Sequence, residues 1–157
     1  MGNTELLTSS ITGFLCSRTV ASKAILPCLD WAVEIAKDEN ATVMSTFHSP
    51  IEREVLSFLL QGKCNIIIVL ARSLYKTIPQ ELQPALDTNR LLILSLTSQP
   101  RISRQSAFLC NKYICENSHS LTFGFLSPSS SLYPIYEEAI HSGKDVNVLS
   151  MNKHMSN

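Results

Sequence analysis

The chain has 157 residues, 45% hydrophobic and 17% charged, which suits one domain with a real core and excludes intrinsic disorder. Thirteen Lys and Arg balance thirteen Asp and Glu. That balance excludes a broadly basic protein that coats a nucleic-acid backbone, leaves room for a local basic pocket, and favours self-association. Ile11-Thr-Gly-Phe-Leu-Cys16 reads as a first strand, and 21–37 as a helix with apolar Ala21, Ile25, Leu29, Ala32, Val33 and Ala36 at helical spacing. Thr42-Val-Met-Ser45 is a second strand. A helix over 50–61 follows, stopped by Gly62. Asn65 to Ala71 is apolar without alternation, as a strand covered by helices on both faces should be.

A Pro-marked helix near 79–87 leads to a fourth strand at Leu91-Leu-Ile-Leu-Ser95, and a helix is expected over 104–116. Ser120 to Leu126 is a fifth strand. After a serine loop come a helix from Tyr133 to His141, closed by Gly143, and a sixth strand at Val146-Asn-Val-Leu149. Strands alternating with helices predict an α/β fold, a single Rossmann-like doubly wound sheet of about six mainly parallel strands with helices on both faces. The whole of 1–157 is expected to be one domain, with its core over about 11–149 and a polar tail at 150–157.

Five cysteines, Cys16, Cys28, Cys64, Cys110 and Cys115, include no C-x-x-C pair, and the four histidines complete no zinc set. They are expected to be buried packing thiols in a reducing compartment, with no metal and no cofactor. The opening MGNTELLTSS has neither a basic n-region nor a long apolar run, and Ile66 to Ala71 is too short to span a bilayer. The expectation is a cytoplasmic protein with no membrane association.

In open α/β sheets, ligands bind outside the carboxyl ends of the strands, near the reversal in strand order. The residues that follow the expected strands are Ser17 and Arg18; Phe47, His48 and Ser49, with Glu52 one turn on; Arg72 and Ser73; Arg101 and Arg104; and Ser127 to Ser131. This set is rich in Arg and Ser, whose donors match phosphate oxygens. Each part also has a structural explanation. Ser49 and Glu52 spell a capping box, one serine of 127–131 can cap a helix, and His48 can bond its turn. Phe47 is expected to be the aromatic residue at the crevice, and Arg18 and Arg72 to be adjacent across the switch point. No glycine-rich dinucleotide fingerprint and no G-x-S-x-G elbow occurs, and Glu137 and Glu138 are the carboxylates nearest the serine loop.

Taken together, these landmarks resemble DNA-processing protein A (DprA/Smf), within a wider lysine-decarboxylase-like group that includes cytokinin-activating phosphoribohydrolases. Phe14-Leu-Cys-Ser-Arg18 resembles the first-strand Ser-Arg turn. Phe47-His-Ser-Pro-x-Glu52 with Leu59-Leu-x-Gly62 resembles GFHSPxE…LLxG of short, stand-alone members. Ile66 to Arg72 resembles the strand ending in Ala-Arg, Asn89-Arg-Leu-Leu-Ile-Leu-Ser95 resembles GRLLLLSP, and Asn111 occupies an Arg-Asn position whose Arg is here Cys110. The enzymes of the wider group carry Pro-Gly-Gly-x-Gly-Thr-x-x-Glu where this chain has Pro128-Ser-Ser-Ser-Leu-Tyr-Pro-Ile-Tyr-Glu137, and the glycine of Ser-Gly-Phe-His is Thr46. Without those glycines the backbone cannot approach a phosphate closely.

The resemblance therefore implies binding in preference to catalysis. The expected ligand is a nucleotide or a short single-stranded DNA segment, held by Ser17, Arg18, Phe47, His48, Ser49, Arg72, Asn111, Ser129, Ser130 and Ser131. It also implies a homodimer, a link to DNA processing, uptake or recombination, and a recombinase as partner. The alternatives are a nucleotide N-glycoside hydrolase using Glu137 or Glu138, and a non-catalytic nucleotide-ligand sensor.

Overall fold

The computed structural model describes residues 1–150; of the expected tail at 150–157, all but Ser150 lies outside the described residues. Six strands, β1 (Ile11–Leu15), β2 (Thr42–Ser45), β3 (Asn65–Leu70), β4 (Leu91–Ser95), β5 (Ser120–Phe123) and β6 (Asp145–Val148), form one sheet in the order β4-β3-β2-β1-β5-β6. Every pairing between these strands is parallel. The helices are α1 (Ser22–Ala36), α2 (Pro50–Gln61), α3 (Gln83–Asp87, led by a 3-10 turn at Gln80–Leu82), α4 (Arg104–Asn117) and α5 (Leu132–His141).

The uninterrupted apolar run of β3 serves two cores at once. Ile66, Ile68 and Leu70 face α1 and α2 together with Cys28, Ala32, Val55 and Leu59. Ile67, Val69 and Ala71 face the other way, toward Ile114 of α4 and Ile135 and Ala139 of α5. Alternate side chains of one strand point to opposite faces, so a strand sandwiched between helix layers needs apolar residues at every position. All five cysteines are free and buried within these layers.

Two features depart from the expected pattern. The first expected element begins at Ile11, yet Gly2 bridges antiparallel to Leu92, the Asn3 amide donates to the Leu91 carbonyl at 3.0 Å, and a 3-10 turn follows over Thr4–Thr8. Gly2 is at φ 104, a region open to glycine, and a Cβ there would lie 2.2 Å from the Leu91 carbonyl oxygen. These residues lie along the outer edge of β4. In addition, β5 ends at Phe123 instead of Leu126, although the Gly124 amide still donates to the Leu15 carbonyl at 2.9 Å. Among the described residues no helix is long and apolar enough to cross a membrane.

Strands β1 to β4 progress in one direction from the sheet centre, and β5 then returns to the other side of β1. The carboxyl ends of β1 and β5 are therefore where the chain reverses its winding. A crevice opens there.

Candidate functional site

The crevice holds about 840 Å³ and is walled by the turn after β1, the turn after β2, the first turns of α4 and the serine loop before α5. Its floor is organised by Glu52, which is 4% exposed. One carboxylate oxygen accepts from Thr46 Oγ1 at 2.9 Å, the His48 amide at 3.0 Å and the Ser49 amide at 3.2 Å; the other accepts from the Cys16 amide at 3.2 Å. Ser49 Oγ accepts from the Glu52 amide at 3.3 Å, closing a capping box at the start of α2. Burial raises the Glu52 carboxyl above the usual carboxylate range, against the downward pull of those four donors. Thr46 thus supplies one of them.

Ser17 ties the two strands at the reversal. Its amide donates to the Phe125 carbonyl at 2.9 Å, and its Oγ accepts from the Ser127 amide at 3.1 Å. Below it, the Cys16 and Cys28 thiols are neighbours, both close to the position a Cβ on Gly124 would occupy. Their pairing, with burial, pushes the Cys16 thiol well up, and the same pairing draws the Cys28 thiol down. Gly124 leaves room for this pair, since a Cβ on it would meet Cys28 Sγ at 2.6 Å.

The walls are rich in donors. Arg18 and His48 are exposed on one side, and Arg104 and the half-buried Asn111 face them from α4. Ser127, Ser129, Ser130 and Ser131 close the third side, with Ser127 and Ser129 hydroxyls 3.1 Å apart and Ser130 Oγ accepting from the Leu132 amide at 2.9 Å. The α5 N-cap, Ser131, makes no side-chain cap, and the first amides of α5 are already spent: Leu132 donates to Ser130 Oγ, Tyr133 donates to the Ser130 carbonyl at 3.1 Å, and Pro134 has none. Among the described residues Glu52 is the one carboxylate in the lining.

Several expected site residues fall together here: Ser17, Arg18, His48, Ser49, Asn111, Ser129, Ser130 and Ser131. Ser49 uses its hydroxyl as a helix cap. Phe47 does not face the crevice as expected. Its φ of 50 turns the ring into the core, where it is 5% exposed; a left-handed conformation costs a non-glycine residue roughly 1–2 kcal/mol.

Arg72 is also misplaced by the expectation of adjacency, because β2 lies between β1 and β3. Its Nε donates to the Ser73 carbonyl at 3.1 Å and its guanidinium lies 5.5 Å over the Tyr75 ring. Glu137 and Glu138, the acids of the hydrolase alternative, are exposed on α5 and outside the lining. The aromatic residue at the crevice is instead Phe108, 43% exposed. Its signal was present as spacing, because Arg104, Phe108 and Asn111 are four and three residues apart and share one helix face. Among the described residues no group of three or more His, Cys, Asp or Glu is placed to hold a metal.

Among solved structures, the chain is similar to DNA processing protein A from Streptococcus pneumoniae, with a TM-score of 0.72 and 18% identity over 94% of this chain. It spans about half of that protein, 52% of its length. A structure described by the single-stranded DNA binding mode of DNA processing protein A from Helicobacter pylori matches at 0.72 and 17% identity, covering 94% of this chain and 68% of that one. The molybdenum cofactor binding protein of Rippkaea orientalis matches at 0.62 and 9% identity, covering 89% and 76%. No family model matches the chain, and no curated protein matches its sequence. The fold is a DprA-like, Rossmann-like α/β sheet.

Proposed function

We propose that this chain is a single-domain binding module whose crevice takes a phosphate-bearing ligand, a nucleotide or a short single-stranded DNA segment, and that it is not an enzyme. The observation that carries this reading is the lining itself: Arg, His, Ser, Thr and Asn donors at the chain reversal, with the lone carboxylate buried and fully engaged. Arg18 and Arg104 neutralise phosphate, His48 and Ser129 to Ser131 donate to its oxygens, the Phe108 ring offers a stacking face, and Asn111 reads a base edge. The Helicobacter pylori neighbour, described by its single-stranded DNA binding, supports the same ligand class. A role in DNA processing, uptake or recombination in the cytoplasm, a homodimeric state and a recombinase partner extend this reading.

The test is a binding titration of wild type and Arg18→Ala with thymidine nucleotides and oligothymidylates at several salt concentrations, with melting curves as the folding control. Arg18→Ala is expected to melt like wild type and to bind more weakly by about 1.5–3 kcal/mol, the range for a charge-assisted hydrogen bond. For the oligonucleotide, the salt slope should flatten by roughly 0.7 for each phosphate no longer neutralised. Unchanged affinity and slope in a folded variant would overturn the reading.

A further inference from the structure

The balanced net charge hides a polarised molecule. The loops that leave the carboxyl ends of β1 to β5, at 16–21, 46–49, 71–79, 96–103 and 124–131, contain no Asp or Glu. They carry Arg18, Arg72, Lys76 and Arg101, and Arg104 opens the helix that follows. At the opposite end of the sheet two cations serve the fold. Arg90 donates to the Cys64 and Leu59 carbonyls, both at 2.9 Å, and Lys144 donates to the Ser118 carbonyl at 2.7 Å. Among the described residues the ion pair formed is Lys37–Glu34, so none of the carboxyl-end cations is neutralised within 4.0 Å.

Three of these cations lie beyond the crevice, on two loops bound to each other. The Ser73 amide donates to the Gln99 carbonyl at 2.7 Å, and Ser95 Oγ bonds both the Arg72 carbonyl and the Thr97 carbonyl, the latter at 2.8 Å. Arg72 is held over Tyr75 with Nε donating to the Ser73 carbonyl, and its other guanidinium nitrogens have no hydrogen-bond partner among the described residues. Lys76 and Arg101 are exposed on the same pair of loops. The nearest acid in sequence, Glu81 on the 3-10 turn past Pro79, is close enough to act on the Tyr75 hydroxyl but forms no ion pair with Arg72 or Lys76. Arg104, in the crevice wall, follows Arg101 by three residues, so the loop that carries Arg101 runs directly into the crevice wall.

We propose that Arg72, Lys76 and Arg101 form a second phosphate subsite, separate from the crevice, which holds further phosphates of a ligand whose end lies in the crevice. This inference rests on the crevice reading and adds a length requirement to it. A monophosphate occupies the crevice alone. A strand with phosphates along its backbone leaves past Arg104 and lies across the two bound loops, so affinity grows with strand length until the rim is filled.

The test compares thymidine monophosphate with oligothymidylates of increasing length on wild type, on Arg18→Ala and on the triple variant R72Q/K76Q/R101Q. For the triple variant, monophosphate affinity is expected to match wild type, and long-oligonucleotide affinity to fall about tenfold. Its salt slope should be shallower by about 0.7 for each phosphate that loses its cation. An unchanged oligonucleotide affinity and slope in a folded triple variant, with Arg18→Ala still weakened, overturns the second subsite and leaves the crevice reading standing. A wild type whose affinity ignores length overturns it as well, as does a triple variant that loses the monophosphate. Indifference of both variants, or no binding of either probe by wild type, overturns the crevice reading with it.

Discussion

With four donors converging on it, Glu52 joins the turn after β1 to the turn after β2. Its burial raises the folded-state pKa above the unfolded value. Proton uptake therefore favours the folded chain: the stabilisation is full below the ordinary glutamate range and is lost as pH rises through the raised value. Glu52→Gln should abolish that dependence, so wild type gains stability relative to the variant on acidification, which urea unfolding at several pH values measures. At neutral pH the variant should lose about 1–3 kcal/mol, because an amide NH2 cannot accept from every amide that the carboxylate served. The cysteines provide a second expectation. All five are buried, and burial pushes the Cys110 thiol up to about 11. They should resist a thiol reagent in the native protein and react on unfolding, and rapid native labelling of several would contradict the packing role. The capping box was legible at this scale because S-x-x-E is a local pattern. The inward turn of Phe47 was not, since one positive φ decides it and no neighbouring residue type announces it.

At the scale of elements, the approach of β5 to α1 depends on position 124. A methyl group there would stand 2.6 Å from Cys28 Sγ and 3.0 Å from Phe14 Cζ. Gly124→Ala is expected to cost about 1–3 kcal/mol by overpacking. Cys28→Ala in the same chain should restore part of that loss, a non-additivity that a double-mutant cycle reads directly. Strictly additive losses would locate the strain elsewhere. The helices and strands themselves were largely visible in the sequence: apolar runs at period two or with no polar break, set between segments of period 3.6, mark them out, and the bounds of β2, α2 and β4 agree residue for residue. Strand order left no such trace. It is a property of long-range pairing, and the separation of β1 from β3 by β2 is what removed Arg72 from the neighbourhood of Arg18.

At the scale of the whole molecule, a zero net charge conceals the acid-free loops at one end of the sheet, because composition sums over both ends. The rim became apparent once the strands assigned each loop an end. The two lateral edges of the sheet are equally unlike. Among the described residues β6 is open, whereas Met1 to Asn3 lie along β4, with the Ile93 amide donating to the Met1 carbonyl at 2.7 Å. Removing residues 1–3 should bare the backbone donors and acceptors of β4 and raise association at high concentration, which light scattering against the intact chain would reveal; equal scattering would count against the covering role. The arithmetic of strand addition then follows from symmetry. A sheet with two bare flanks can stack head to tail without end, as a filament does, but a sheet with one flank already occupied has at most one further edge to offer.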